Sequence, residues 1–202
     1  MARRSEHSRE ELREMALQAA ESLLDEMQLP AISTRQIAAK MGYTVGTLYQ
    51  LYKNLPDLLL HVNSRTLKKL QHHCLQDHDL SLPASENIQH YALSYVEFSC
   101  QYQSRWQLIF DNQVIEQVEQ PLWYQEQVGE LFGLISQELR RLRPDVSSQQ
   151  LLETTHLLWS SIHGICSMSI NQKLFTQKID KEAQIRSLVR NFVVGWQNDA
   201  LE

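Results

Sequence analysis

The stretch Ser33–Leu60, STRQIAAKMGYTVGTLYQLYKNLPDLLL, constrains this chain more than any other. It carries two short helix signatures parted by Gly42, and a third helix opens behind them. Ser33 followed by Gln36 forms a capping box, so a helix starts near Thr34. Ile37, Ala38 and Met41 then share one face at helical spacing. Gly42 supplies the left-handed residue that ends this helix. Thr44 caps the next one, Val45 to about Leu51, anchored by Leu48. Ala38 is small enough to let the two helices cross closely. Asn54 and Pro56 mark a further helix, with proline in its first turn.

The side chains of this stretch suit a duplex. Between Met27 and Pro56 there is no Asp or Glu, while Arg35, Lys40 and Lys53 are basic. Thr34, Thr44, Thr47 and Tyr49 carry hydroxyls that can donate to phosphate oxygens, which fixes orientation without reading sequence. Gln50 and Arg35 can pair in bidentate fashion with purine edges, and Val45 and the Thr44 methyl can touch thymine methyls. Gly46 lets the backbone approach closely. In a helix-turn-helix the first residues of the second helix meet base edges; here these are Val45, Gly46 and Thr47. A plain helical hairpin has no need of an acid-free stretch with hydroxyl and small residues at a helix start.

The pattern T-R-x-I-A-x-K-x-G-Y-x-x-G-T-L-Y-x-x-Y-K-N over Thr34–Asn54 resembles the DNA-binding domain of TetR-type regulators. The resemblance implies an all-α fold of about nine helices. Residues 1–60 would form the DNA-binding domain, and residues 61–202 a body that binds an effector and dimerises. It implies phosphate contacts for Thr34, Thr44, Thr47, Tyr49 and Lys53, and base or groove contacts for Arg35, Val45, Gly46 and Gln50. One position departs from the pattern: Leu55 stands where the family usually has a phosphate-gripping lysine. Lys53 is the substitute at hand.

The net charge of −5 looks adverse for a DNA binder. Residues 1–60 hold seven Lys/Arg and eight Asp/Glu, but seven of those acids lie in Glu6–Glu26, ahead of the reading motif. Distribution decides, not the total. Arg3 and Arg4 form a short basic arm. With 43% apolar residues the chain can build a full core; no apolar run is long enough to span a membrane, and no secretory signal is visible. Three cysteines without paired spacing point to a reducing compartment, hence a cytoplasmic protein.

The rest of the chain reads as helices. The first runs from about Ser8 to Met27, with Leu12, Met15, Ala16, Ala19, Leu23 and Met27 on its stripe. The fourth runs from about Pro56 into His72–His73, contains the domain boundary and couples the two domains. Five more follow: Ser85–Tyr102, Ser104–Phe110, Pro121–Arg143, Ser147–Asn171 and Lys181–Asn198.

The body holds most of the aromatics, and most of these read as core. A TetR-like body would also enclose an effector pocket, for which Tyr91, Tyr95, Trp106, Trp123, Tyr124 and His156 are the candidates. The segment LWSSIHGICSM, Leu158–Met168, resembles the Trp-x-x-x-His-Gly stretch of one type of TetR C-terminal domain. The implied dimer interface takes Trp159, Ser160, His163 and Gly164 from one helix, and Leu188, Phe192 and Trp196 from the last. Gly129 and Gly133 form a GxxxG read as tight soluble packing. His73, Cys74, Asp77 and His78 are metal-ligand types, but no single helix face offers three of them, so no metal is expected. The three cysteines are read as buried thiols, with redox sensing as the alternative.

These readings converge on a homodimeric regulator that binds a pseudo-palindromic operator and, as a repressor, is released by a small effector. The alternative is an activator, or an architectural or partner-binding DNA-binding protein without a small ligand. An enzyme is not expected: the chain has no GxGxxG, phosphate loop, G-x-S-x-G or HExxH, and no cofactor is called for.

Overall fold

A computed structural model describes residues 7–26, 32–76, 78–111, 120–171 and 180–198. Among these there are nine helices and no strand: α1 (Arg9–Glu26), α2 (Thr34–Met41), α3 (Val45–Leu51), α4 (Leu55–Leu75), α5 (Ala84–Gln101), α6 (Gln103–Ile109), α7 (Leu122–Leu142), α8 (Ser148–Asn171) and α9 (Lys181–Asn198). The chain divides into two compact units. The first combines Met1–Thr66 with Tyr102–Leu122; the second combines Leu67–Gln101 with Trp123–Glu202. Helix α4 is continuous through the division.

In the first unit α1 packs against α2, α3 and α6. The core takes Ala16, Ala20 and Leu24 from α1, Ile37 and Ala38 from α2, Leu48 from α3, and Leu58 and Val62 from α4. Leu108 of α6 joins the same core, and the buried Asn63 amide donates to the Leu108 carbonyl at 3.3 Å. Alanines on the inner face of α1 keep its neighbours close, and the short helices α2 and α3 depend on this packing because isolated helices of their length are marginal.

The local chemistry of the turn follows its sequence. The Ser33 hydroxyl accepts from the Gln36 backbone N–H at 3.4 Å and donates to the Gln36 side-chain oxygen at 2.7 Å. Gly42 has φ 74°, a left-handed conformation that glycine adopts without Cβ strain. Its N–H and that of Tyr43 close on the Ala39 and Ala38 carbonyls. Thr44 sits at the N-cap of α3 but makes no side-chain cap; its hydroxyl pairs with that of Thr47 at 3.3 Å. Helix α4 starts at Leu55, one residue before Pro56: the Asn54 side-chain oxygen accepts from the Asp57 N–H, and the Asp57 carboxylate accepts from the Lys53 N–H, both at 2.8 Å.

In the second unit α5 packs against α8 and α9, and α8 against α9. Leu70, Ile88, Phe98, Leu139, Leu158, Ile162 and Ile185 are its most deeply buried large side chains. A polar network closes one end. Asn87 donates to Glu138 at 3.3 Å and to the Asp79 carbonyl at 3.0 Å. Arg141 pairs with the buried Glu138 and donates to the carbonyls of Leu80 and Leu82. Burying Glu138 is tolerable because both a cation and an amide attend it.

Candidate nucleic-acid interface

Helix α3 buries Leu48 and Leu51 and turns its other side to solvent. On that side Thr44, Gly46, Tyr49 and Gln50 are exposed and Thr47 is half-buried; Tyr49 keeps 57% of its surface accessible. Val45 is half-buried against the core, with part of its side chain still accessible. Thr34 is half-buried and Arg35 exposed at the start of α2; Lys53 is exposed just past α3. The nine sequence candidates therefore lie around α3 and the opening of α2, with none in the core.

Gly46 has no structural reason to be glycine inside the chain. A Cβ built there meets only the Thr44 hydroxyl oxygen, at 3.6 Å, which is ordinary contact. The absent side chain leaves a gap on the outer face of α3. By contrast Leu55 is half-buried and packs against the first unit's core, so this position is spent on packing. The remaining basic group beside α3 is Lys53, and the structure adds a second. Arg9 donates from its guanidinium to the Gln50 carbonyl at 3.3 Å, which fixes a positive charge beside the last turn of α3. Sequence reasoning passed over Arg9 because it sits among acids; the signal for it would have been a first-helix residue reaching the end of the third.

Four of the six acids of α1 are held by cations of the same unit. Lys40 pairs with Glu26 at 2.7 Å, Arg65 with Glu14 and Glu21 at 2.8 Å, and Arg105 with Asp25. Lys40 is therefore engaged with α1. The motif's own face stays acid-free.

The six effector candidates do not form one cluster. Tyr91 and Tyr95 line a cavity of about 20 Å³ with Cys74, Leu131, Ile135, Trp159 and Ile162, all of the second unit. That is about one water's room, far below the several hundred cubic ångströms of a ligand pocket. Burial pushes the Tyr91 phenol up to about 12, and its hydroxyl is hydrogen-bonded to His78 Nδ1 at 2.7 Å. Trp106 is buried in the first unit against Phe110, with ring centres 5.2 Å apart. Trp123, exposed, and Tyr124, buried, meet edge to face at 5.7 Å. His156 lies on the outer groove between α7 and α8, its ring 5.1 Å from Phe132.

The interface candidates divide in the same way. Trp159 stacks on His163 at 5.0 Å, and His163 Nδ1 is hydrogen-bonded to the Tyr95 hydroxyl at 2.9 Å. Burial holds the His163 imidazole below its ordinary value. Trp196 is buried: its indole N–H donates to the Leu139 carbonyl at 3.1 Å, and Arg143 covers its ring at 4.3 Å. Leu188 and Phe192 are half-buried, Ser160 is exposed, and Gly164 is half-buried with nothing within 4 Å of where a Cβ would stand. Among the described residues of α8 and α9, the large apolar side chains left in solvent are Leu152, Leu157, Met168 and Val194. Leu157, Ser161, Gly164 and Met168 follow one helix face, a spacing readable in the sequence.

Of the metal-ligand types, Asp77 lies outside the described residues. Cys74 is buried, its thiol pushed up to about 12, and among the described residues no group of three His, Cys, Asp or Glu could hold a metal. No helix among them is long and apolar enough to cross a membrane.

The family model for the tetracyclin repressor-like C-terminal domain matches residues 88–192, more than half of the chain. The chain belongs to the TetR family. It is a DNA-binding transcriptional regulator of that family, with the family's all-α fold. No curated protein matches it by sequence. Solved structures share the TetR fold at low identity. A protein of unknown function from Rhodococcus sp. RHA1 is 16% identical with TM-score 0.73, over 96% of this chain and 98% of that one. A TetR transcriptional regulator from the same organism is 15% identical with TM-score 0.64, over 93% and 98%. BioQ, solved with its double-stranded DNA operator, is 16% identical with TM-score 0.68, over 92% and 97%.

Proposed function

We propose that this TetR regulator is a homodimeric repressor that binds a pseudo-palindromic operator through α3 and leaves it when a small effector binds the second unit. The observation that carries the DNA part is the outer face of α3: acid-free, hydroxyl-rich, open at Gly46, and flanked by Lys53 and Arg9. Thr34, Thr44, Thr47, Tyr49 and Lys53 hold phosphates in this reading, while Arg35, Val45, Gly46 and Gln50 face the groove. BioQ, of like fold, is a protein solved on its operator, which supports the same use of the fold here.

Dimerisation rests on α8 and α9. Leu157, Met168 and Val194 are exposed on them, and Gly164 and Gly195 leave open space where a second helix could approach. Two α3 helices related by a two-fold axis would then enter successive major grooves. The effector reading rests on the cavity below Tyr91, Tyr95 and Trp159, an apolar space whose walls come from α4, α5, α7 and α8 together. A ligand favouring the DNA-incompetent state shifts the population away from the operator.

The deciding experiment is enrichment of bound duplexes from a random library, followed by anisotropy against salt. A recovered palindrome with a steep salt slope supports the reading. No enrichment by a folded dimer removes it. Replacing Thr47 and Tyr49 together with Ala should abolish enrichment while sedimentation still reports the dimer, and Leu157→Asp should give monomer. Thermal shift across apolar and cationic compounds tests the effector; a shift with none of them favours a regulator without a small ligand.

A further inference from the structure

Two spaces of the second unit share the helices α7 and α8. One is the closed apolar cavity of about 20 Å³, with Cys74, Tyr95 and Trp159 in its wall. The other is an open groove of about 540 Å³, with Phe132, Leu152 and His156 in its wall. On α7, Leu131, Leu134 and Ile135 line the cavity, whereas Phe132, Gly133 and Ser136 line the groove, so each space takes one side of the same turns. On α8 the groove ends at His156 and the cavity begins at Trp159, one turn on.

The boundary between the two spaces is aromatic. The Phe132 ring lies 5.1 Å from His156 and 5.1 Å from Trp159, so it touches the last groove residue and the first cavity residue of α8. Phe132 is half-buried and has no hydrogen-bonding group; packing alone holds its ring. Room for that ring to turn lies on the groove side. Gly129 and Gly133 flank it on α7, and nothing stands within 4 Å of where a Cβ would sit at either. Charge favours one kind of occupant. Among the described residues no Asp or Glu lines either space, while Arg140 lines the groove, so a cation entering there would find no counter-charge.

We propose that Phe132 and Trp159 form a gate. When Phe132 turns over the two glycines, groove and cavity join into one binding space for an apolar small molecule without positive charge. The ligand part rests on the effector reading of the cavity; the gate itself does not. The cavity alone has about one water's room, whereas the groove already has the several hundred cubic ångströms of a ligand pocket. Joining them supplies the volume the cavity lacks and brings the ligand to α4, whose Cys74 lines the inner space.

The cysteines supply the readout. Cys74 lines the cavity and not the groove, and Cys166 is buried outside both linings. Cys100 is exposed, unlike the buried thiol expected from the sequence. The full chain is treated with N-ethylmaleimide without DNA, and each site is followed by peptide mapping, with Cys166 as the gauge of general unfolding. Phe132→Ala should label at Cys74 roughly tenfold faster relative to Cys166, because two ring contacts that close the gate are gone. Gly129→Ala with Gly133→Ala, which the open space admits, should slow Cys74 roughly threefold by the same ratio. Anilinonaphthalene sulfonate should protect Cys74 in the Phe132→Ala chain, and the aromatic cation ethidium should not. A ratio left unchanged by either variant would overturn the gate. Protection by ethidium, or none by the sulfonate, would overturn the ligand class. Labelling needs neither operator nor inducer, so the gate stands or falls separately from the effector reading.

Discussion

Arg105 of α6 grips Asp25 of α1 with two nitrogens, its Nε 3.0 Å from one carboxylate oxygen and its Nη2 on the other. Nη1 of the same guanidinium lies 3.7 Å from Glu21. The acids along α1 thus tie this helix to its neighbours: Glu14 and Glu21 meet Arg65 of α4, Glu21 and Asp25 meet Arg105 of α6, and Glu26 meets Lys40 of α2. Arg105→Met should therefore destabilise the first unit by about 1 kcal/mol, the usual scale for a well-formed, half-exposed pair. Thermal melts should show the loss at low salt and shrink it at high salt. An equal loss at both ionic strengths would mean that packing of the arginine stem, not charge, is the source.

Acid should loosen the same unit. The Arg65 guanidinium donates to both oxygens of Glu14, each at 2.8 Å, and holds this carboxyl below its ordinary 4.5. A depressed folded-state value means that the contribution is complete above 4.5 and is lost as pH falls through the depressed value. Denaturation midpoints should accordingly fall on acidification below the carboxylate range. Arg65→Met should flatten this part of the profile.

Gly46→Ala separates fold from DNA contact. The new methyl has room inside the chain, with only the Thr44 hydroxyl at 3.6 Å, and alanine is the better helix former by up to about 1 kcal/mol. Melting temperature should hold or rise while operator affinity drops roughly tenfold or more through the methyl's clash with the duplex. Unchanged affinity would move the duplex off this face of α3.

Lys53→Ala should weaken binding to every duplex alike and lower the salt slope by about 1, as a phosphate contact does. Arg9→Ala should do the same, with some loss of α3 stability because Gln50 loses its donor. A change of base preference in either variant would reassign that residue to readout.

The geometry of the two short helices and their turn was legible because its determinants are local. Ser33, Gln36, Gly42 and Asn54 cap and turn the chain through atoms within five residues of themselves. Leu55 was legible as a departure, but its packing role was not, since that depends on a core assembled from four other segments. Where the aromatics of the body pack depends on the same kind of assembly. Trp106 joins the first unit through the long-range meeting of α6 with α1, which no periodicity encodes. A stripe such as Leu188, Phe192 and Trp196 states that a helix has an apolar side, not whether the covering helix belongs to the same chain.

Trp196 makes that difference measurable. Trp196→Phe removes the indole donor from the Leu139 carbonyl and weakens the Arg143 stacking. The cost should be about 1–3 kcal/mol of second-unit stability. Sedimentation of the folded variant should show the association constant of the parent. A folded but monomeric variant would place Trp196 at the interface after all.

The space beneath Tyr91 and Tyr95 has a kinetic corollary. At about 20 Å³ it admits nothing larger than a water until Leu131, Ile135 or Trp159 gives way. If an effector enters there, the opening precedes capture, so the observed association rate should level off at high ligand concentration instead of climbing in proportion. Its plateau is the breathing rate of the body itself, and it caps how quickly a promoter could answer a sudden rise in the inducer.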